Sequence, residues 1–405
     1  MKIINQLSRL NIKYVIFLAI VLRVIWASLV PVELISDSFI YDAFAKSIAT
    51  GKGYAYPAGN LTAFWPVGTS AIYALLYQVF GSSTTPIVMF NIVIGVLIVW
   101  LTYAITKQYF NQSTAILASL IVAIWPILIE FTTIYASELI FIFLVLSAIY
   151  IWGNKNISPI IRALIWGALI CAATYVRPTA LALIVLFPVL EWLAKGTLKQ
   201  CFTSLSIAAI TAAILFSPWV YRNHQVFGQF VLVSTNGGSN LWMGNHEGTT
   251  GGYTPLPELG FDNEAKRDAH LKKEAINFIT DNPVEYLKLA FKRVITTYKA
   301  ETIGIVWNGA LFKKLSAQTI LGMKLTSTLY WWIILILASI GIYKILRQGE
   351  MPTFHVLLVT LGFFFVFPIL TVAQDRYHMP INPFLAMFAA YYLNTFSSKQ
   401  VQSNT

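Results

Sequence analysis

Ser36-Asp37-Ser38-Phe39-Ile40-Tyr41-Asp42, followed by Gly51-Lys52-Gly53-Tyr54 and then Ala63-Phe64-Trp65-Pro66-Val67-Gly68, forms a polar, acid-bearing stretch directly behind an apolar run at Tyr14–Val32. That run is long, carries Arg23 and lacks a clean small-residue cleavage site, so it reads as a retained membrane helix and not as a signal peptide. Most of the remaining chain is lipid-compatible. Carboxylates and aromatics beside a bilayer surface suggest a reaction staged there.

Outward from this stretch, apolar runs recur at Pro86–Thr106, Ser113–Ile129, Ile134–Trp152, Ile160–Val176, Thr179–Ala194, Cys201–Tyr221, Thr326–Leu346, Thr353–Val372 and Pro380–Phe396. With the first run they make about ten. Of the 405 residues, 57% are hydrophobic and 11% charged, and mean hydropathy is +0.67. A soluble domain carries roughly 25% charged residues. The expected fold class is therefore an all-α polytopic membrane protein. Thr69–Phe80 is apolar but too short for a bilayer core of about 30 Å, and reads as an interfacial or re-entrant helix.

Lys and Arg in short loops set orientation. Lys2, Arg9, Lys13, Lys107, Lys155, Arg162, Lys195, Lys199, Lys344, Arg347 and Lys399 fall on one side, with only Glu191 and Glu350 as acids. That side reads as cytoplasmic. Much of the net charge of +11 is thus a topology signal, and no nucleic-acid partner is expected. Glu33, Asp37, Asp42, Glu130, Glu138 and Asp375 fall opposite. Three parts follow: a transmembrane module at 1–221 with its first external loop at 33–80, an external segment at 222–325, and C-terminal helices and tail at 326–405. Cys171 and Cys201 sit in predicted spans, which leaves no disulfide framework or cysteine metal site.

The external segments carry short amphipathic helices. One is expected from Asp37 to Thr50, with Asp42 and Lys46 as an i,i+4 pair. Two more are expected at Glu264–Thr280 and Pro283–Tyr298. Between Gly237 and Gly252 the glycines suggest a flexible lid. Residues 222–325 hold 12 basic and 9 acidic residues.

Asp37 is the first chemical candidate. An Asp at a helix start is also a common N-cap. Glu138 falls where the fourth span meets the same face, where a carboxylate is costly unless hydrated or paired. Arg177, Arg222 and Arg376 gather there too. Each alone suits a snorkelling anchor; together they suit an anion, since the guanidinium fork donates in pairs to phosphate. Tyr41, Tyr54, Tyr56, Trp65 and Trp242 can stack on sugar faces or form an interfacial belt. One carboxylate with several cations fits transfer from a sugar phosphate. The hydroxyl needs a base, and the leaving phosphate needs positive charge. Arg23, near the middle of the first span, has no partner that the sequence names.

These pieces, with Ser137-Glu138, Tyr175-Val176-Arg177-Pro178, Arg222-Asn223, Asn240-Leu241-Trp242-Met243-Gly244-Asn245 and Arg376-Tyr377-His378-Met379-Pro380, resemble the GT-C fold membrane glycosyltransferases. The group is the family-39, dolichyl-phosphate-mannose-protein mannosyltransferase-like one, which includes bacterial lipid A aminoarabinose transferases. The resemblance implies a GT-C helical bundle and a hexosyl- or pentosyltransferase using a polyprenyl-phosphate-linked sugar. It implies an extracytoplasmic active site in a bacterial inner (plasma) membrane, with inversion. Asp37 matches the family's catalytic Asp, Glu138 a second acidic position, and Arg376 a residue near the lipid phosphate, with Arg222 and Arg177 beside it. Tyr41, Asp42, Tyr54, Trp65, Trp242, Tyr377 and His378 are the expected substrate contacts. The cofactor is left open; Asp37 and Glu138 are the candidate ligands for a divalent ion. Ser38, where protein mannosyltransferases carry Glu after Asp, weakens a protein acceptor against a lipid or glycan one. The competing readings are a lipid-linked saccharide flippase and a surface-polysaccharide polymerase or ligase.

Overall fold

The computed structural model describes residues 6–8, 10–194 and 196–402. Lys2, Arg9 and Lys195 lie outside the described residues, as does the side chain of Lys399. All the regular structure is helical, with no strand among the described residues. The N-terminal part consists of α1 (Ile12–Leu29), α2 (Asp37–Ala49), α3 (Gly68–Phe80), α4 (Thr85–Tyr109), α5 (Gln112–Ala123), α6 (Pro126–Glu130), α7 (Glu138–Gly153), α8 (Pro159–Val176), α9 (Leu183–Ala194) and α10 (Leu198–Phe227). Next come α11 (Gly237–Gly244), α12 (Glu264–Asp281), α13 (Pro283–Tyr298), α14 (Ile303–Trp307) and α15 (Ala310–Lys314). Three long helices close the chain: α16 (Ala317–Arg347), α17 (Met351–Leu370) and α18 (Asn382–Gln402).

Every expected span contains a helix, but the spans are unequal. Five helices (α1, α4, α8, α10 and α16) are long and apolar enough to cross a membrane alone. A sixth is counted if α5 and the Pro126–Thr133 stretch, bent by 59°, form one broken span. The break follows from Pro126, which has no N–H to continue the helix of Gln112–Ala123. Glu138–Gly153, Pro178–Ala194 and Phe354–Leu370 are shorter apolar helices. α18 packs against α16 and α5 and is almost wholly buried up to Ala390, which fits a central helix shielded by its neighbours.

Arg23 is fully buried in α1. Its Nη1 donates to the carbonyls of Ala19 and Ala123, each at 3.2 Å. Ala123 ends α5 at the break, where helix carbonyls lose their in-helix partners. Arg23 therefore holds a broken helix end, which supplies the partner the sequence could not name.

The ends bearing the basic loops meet at one pole. Arg162 Nη2 lies 3.8 Å from Glu191, Tyr391 Oη 2.9 Å from Gln348 Oε1, and Asn394 Nδ2 3.0 Å from Thr114 Oγ1. Asp37, Glu138, Arg177 and Arg376 gather at the other.

The glycines of the expected lid do different work from the one their composition suggests. Gly237–Gly244 is helix α11. A Cβ at Gly238 would stand 2.0 Å from the Asp268 carbonyl oxygen, and one at Gly244 1.9 Å from that of Thr371. These positions permit close backbone packing of α11 on α12 and on the strap that leads to Arg376. Gly244→Ala should therefore cost about 1–3 kcal/mol through overpacking, read as a lower unfolding temperature of the purified protein.

Candidate active site

Ser36, which precedes α2, has a positive φ of 52° and makes no side-chain cap bond. This is a costly conformation for a residue with a Cβ. It turns the chain so that Asp37 opens the helix. Asp37 is not the N-cap: its Oδ2 accepts from Arg376 Nη1 at 2.6 Å. The capping alternative is thereby set aside. The Asp37 side chain keeps 22% exposure, whereas Arg376 keeps 9% and Glu138 none.

Glu138 is delivered by an interruption. Residues 134–137 are non-helical, so α7 starts at Glu138 and not at the expected Ile134. Irregular backbone at this depth needs side-chain partners. Asn91 Nδ2 donates to the carbonyls of Thr132 (3.2 Å) and Ile134 (3.1 Å), and Tyr73 Oη donates to that of Ala136 (3.2 Å). The Glu138 carboxylate sits in the first turn of α7, where the helix dipole favours negative charge.

Arg177 ends α8 because Pro178 forces it into extended backbone (φ −146°, ψ 118°). Its Nη2 pairs with Glu138 Oε1, and its Nε donates to Ser137 Oγ at 2.9 Å. Arg376 Nη1 also reaches Glu138 Oε1 at 3.3 Å, while its Nε donates to Gln374 Oε1 at 2.7 Å. Two carboxylates and two guanidiniums thus form one alternating cluster. Glu138 Oε2 is buried with no hydrogen-bond partner among the described residues.

Aromatic rings wall the cluster. The Arg376 guanidinium lies 4.3 Å from the Trp307 ring and 5.4 Å from Tyr377; that of Arg177 lies 5.7 Å from Tyr377. Tyr41 is buried with its ring 5.2 Å from Trp65. Burial, then the Asp37 and Glu138 charges, raise the Tyr41 hydroxyl above its ordinary value, so it stays protonated. Burial works against the Arg376 charge, but Asp37 and Glu138 outweigh it and raise its pKa.

Other expected residues stand elsewhere. Arg222 does not join the cluster. Its Nη1 donates to the carbonyl of Thr62 at 2.8 Å and its Nη2 to that of Tyr54 at 3.0 Å, with the guanidinium 4.9 Å from the Trp219 ring. It pins the first loop. Tyr54 lies behind Trp65, its Oη donating to the Trp65 carbonyl at 3.1 Å. Asp42 accepts from Tyr77 Oη at 2.6 Å and pairs with Lys46 at 2.8 Å, fastening α2 to α3. Trp242 stacks on His246 with ring centroids 3.8 Å apart. His378 is buried beneath the site against Trp331, its Nε2 3.1 Å from Glu301 Oε1.

Trp307, Gln374, Ser137, Glu301 and Asp375 are additions. Asp375 Oδ2 accepts from the backbone N–H groups of Thr302 (3.1 Å) and Ile303 (3.0 Å), which caps α14 and sets Trp307 under Arg376. Glu301 is fully buried, and burial raises its pKa. His378 Nδ1 faces the Thr297 carbonyl at 2.9 Å and so carries a proton. The only sequence signal for this layer was acids in otherwise apolar surroundings.

Removing Arg177 would leave a wholly buried carboxylate with one weaker partner. Arg177→Ala should cost about 3–5 kcal/mol of stability, with partial recovery in Arg177→Lys, both read by thermal unfolding in detergent.

Residues 65–221 match the model of the dolichyl-phosphate-mannose-protein mannosyltransferase family. Comparison with curated proteins gives no match. Among solved structures, the oligosaccharyltransferase AglB from Archaeoglobus fulgidus, in complex with an inhibitory peptide and a dolichol-phosphate, superposes with a TM-score of 0.58 at 15% identity, covering 95% of this chain and 50% of that one. The Archaeoglobus fulgidus oligosaccharyltransferase with Zn and sulfate gives 0.56 at 15% identity, covering 95% and 49%. ArnT from Cupriavidus metallidurans bound to undecaprenyl phosphate gives 0.48 at 11%, covering 96% and 78%. The chain spans about half the length of the oligosaccharyltransferases it superposes on. By its helical arrangement this is a membrane protein of the GT-C fold, and over residues 65–221 its sequence resembles the dolichyl-phosphate-mannose-protein mannosyltransferases.

Proposed function

We propose that the protein is an integral membrane glycosyltransferase. It would move a sugar from a polyprenyl-phosphate donor to an acceptor hydroxyl, on the face opposite the basic loops and with inversion. The observation that carries this reading is the alternating Asp37–Arg376–Glu138–Arg177 cluster at one pole of an apolar bundle.

In the resting cluster the charges cancel, with Asp37 engaged by Arg376. A donor phosphate competes for the Arg376 guanidinium, whose fork suits phosphate oxygens. That competition frees Asp37 Oδ2 from Arg376 Nη1, so that the carboxylate can turn to the acceptor hydroxyl. The acceptor oxygen attacks the anomeric carbon, the bond from that carbon to the phosphate oxygen breaks, and the acceptor proton passes to Asp37 Oδ1. Arg376, backed by Arg177 through Glu138, stabilises charge on the departing polyprenyl phosphate. Trp65, Tyr41 and Tyr377 wall the sugar. Asp37 and the unpartnered Glu138 Oε2 offer two oxygen donors to a divalent ion. That is fewer than a structural zinc site requires, and no third Asp, Glu, His or Cys joins them among the described residues; an ion held there would supply further positive charge at the phosphate.

Purified protein offered a panel of polyprenyl-phosphate sugars, with and without EDTA, should consume at least one of them. Consumption of nucleotide sugars alone would count against the reading.

A further inference from the structure

The exposed face of α13 has no part in the cluster and is built like a membrane-surface helix. Val284, Leu287 and Phe291 are 66–67% exposed and Ile295 is 47% exposed. At about 100° per residue they form one stripe. Lys288, Lys292 and Lys299 are exposed along one edge of it. The opposite face is packed, with Leu289, Arg293 and Thr297 buried; at the C-terminal end of the stripe Tyr298 turns inward and its ring stacks on Phe365 of α17 at 4.4 Å.

Two observations identify the occupant. First, α13 lies along the C-terminal half of α17. Tyr286 Oη meets the Leu370 carbonyl at 3.5 Å, and Arg293 Nε meets that of Ile369 at 2.5 Å. The same end of α17 exposes Val366 and Leu370, so the apolar stripe continues a surface already suited to lipid. Second, a row of lysines bordering an apolar stripe complements anionic headgroups, with the lysine stems lying on the acyl boundary.

We propose that α13 is seated in the headgroup layer, with its apolar stripe in the acyl boundary and its lysines on anionic phospholipid. The helix reaches the site through a short relay. Arg293 is buried, and its Nη1 donates to the Gly244 carbonyl at 2.7 Å and to Asn245 Oδ1 at 3.1 Å. Asn245 Nδ2 in turn donates to the Thr371 carbonyl at 3.1 Å, on the strap that ends in Arg376. The lipid surface thus bears on the donor-side arginine of the proposed reaction, a consequence that rests on that reading; the seating itself does not.

The test reads depth and not turnover, so it stands whatever reaction the protein performs. Spin labels are placed through Leu287→Cys, Phe291→Cys and, on the polar flank, Glu285→Cys. The wild type, with its two buried cysteines, gives the labelling background. The samples are nanodiscs of phosphatidylcholine alone or with phosphatidylglycerol. Positions 287 and 291 should show a several-fold higher ratio of oxygen to nickel-chelate collision than position 285. Phosphatidylglycerol should raise that ratio, and Lys288→Gln/Lys292→Gln/Lys299→Gln should remove the rise. Equal aqueous collision at all three positions would overturn the seating, as would protection from both reagents, the sign of a protein partner. An unchanged phosphatidylglycerol response in the triple variant would overturn the lysine–headgroup contact.

Discussion

Asp37→Asn lowers turnover by about 10²–10⁴-fold, the usual contribution of a positioned base, while the protein folds and expresses as before. The amide oxygen can still accept from Arg376 Nη1, which Asp37 Oδ2 now does at 2.6 Å, so the cluster keeps its geometry. Its charge changes: two guanidiniums would face one carboxylate in place of two. The variant should therefore bind the donor phosphate as tightly as the wild type or more tightly. Initial rates across donor concentration separate the effects: kcat falls, while the donor KM stays level or drops. A variant that loses donor binding in step with turnover would show Asp37 acting as a structural anchor.

Arg376→Gln produces the second large loss, and its signature is the reverse. Arg376 Nη1 contacts both carboxylates, and the guanidinium lies over Trp307 at 4.3 Å. Without it the departing phosphate loses its nearest cation, a change on the order of 10²–10³-fold in turnover by analogy with a lost oxyanion donor. The donor KM should also rise. Arg376→Lys should recover only a fraction, because an ammonium keeps the charge but not the planar fork or the stacking on Trp307. Matched unfolding temperatures are needed for the comparison, since Glu138 would then rely on Arg177 alone.

The parts of the site that sequence made legible are those whose chemistry is costly in their surroundings. A carboxylate at the mouth of an apolar helix (Glu138), Arg177 before Pro178 and Arg376 ahead of the last apolar run stand out because burial demands partners. The amphipathic stretches likewise fixed α2, α12 and α13 to within a residue or two. The pairings were not legible. Arg222 and Arg376 look alike in sequence, yet one holds carbonyls of the first loop and the other holds Asp37, a distinction made by the packing of α10 against residues 54–62. Trp307 sits in a five-residue helix with no periodicity to mark it, and depends on Asp375 for its place. The glycines near Gly244 read as flexibility because composition cannot tell a free turn from a tight backbone contact. The gap at residues 134–137 that makes α7 start at Glu138 had no mark in the sequence, because it rests on the Asn91 and Tyr73 side chains that hold its carbonyls.

The most direct measurement is a single-turnover reaction with purified wild-type and Asp37→Asn protein in nanodiscs, each given one polyprenyl-phosphate sugar and an acceptor. Released polyprenyl phosphate and the anomeric configuration of the product are read together. One polyprenyl phosphate per glycoside formed and inverted configuration are expected from the wild type, with almost no release from Asp37→Asn. Donor that crosses the bilayer with its sugar–phosphate bond intact, or equal release by the two proteins, would contradict transfer with Asp37 as the base.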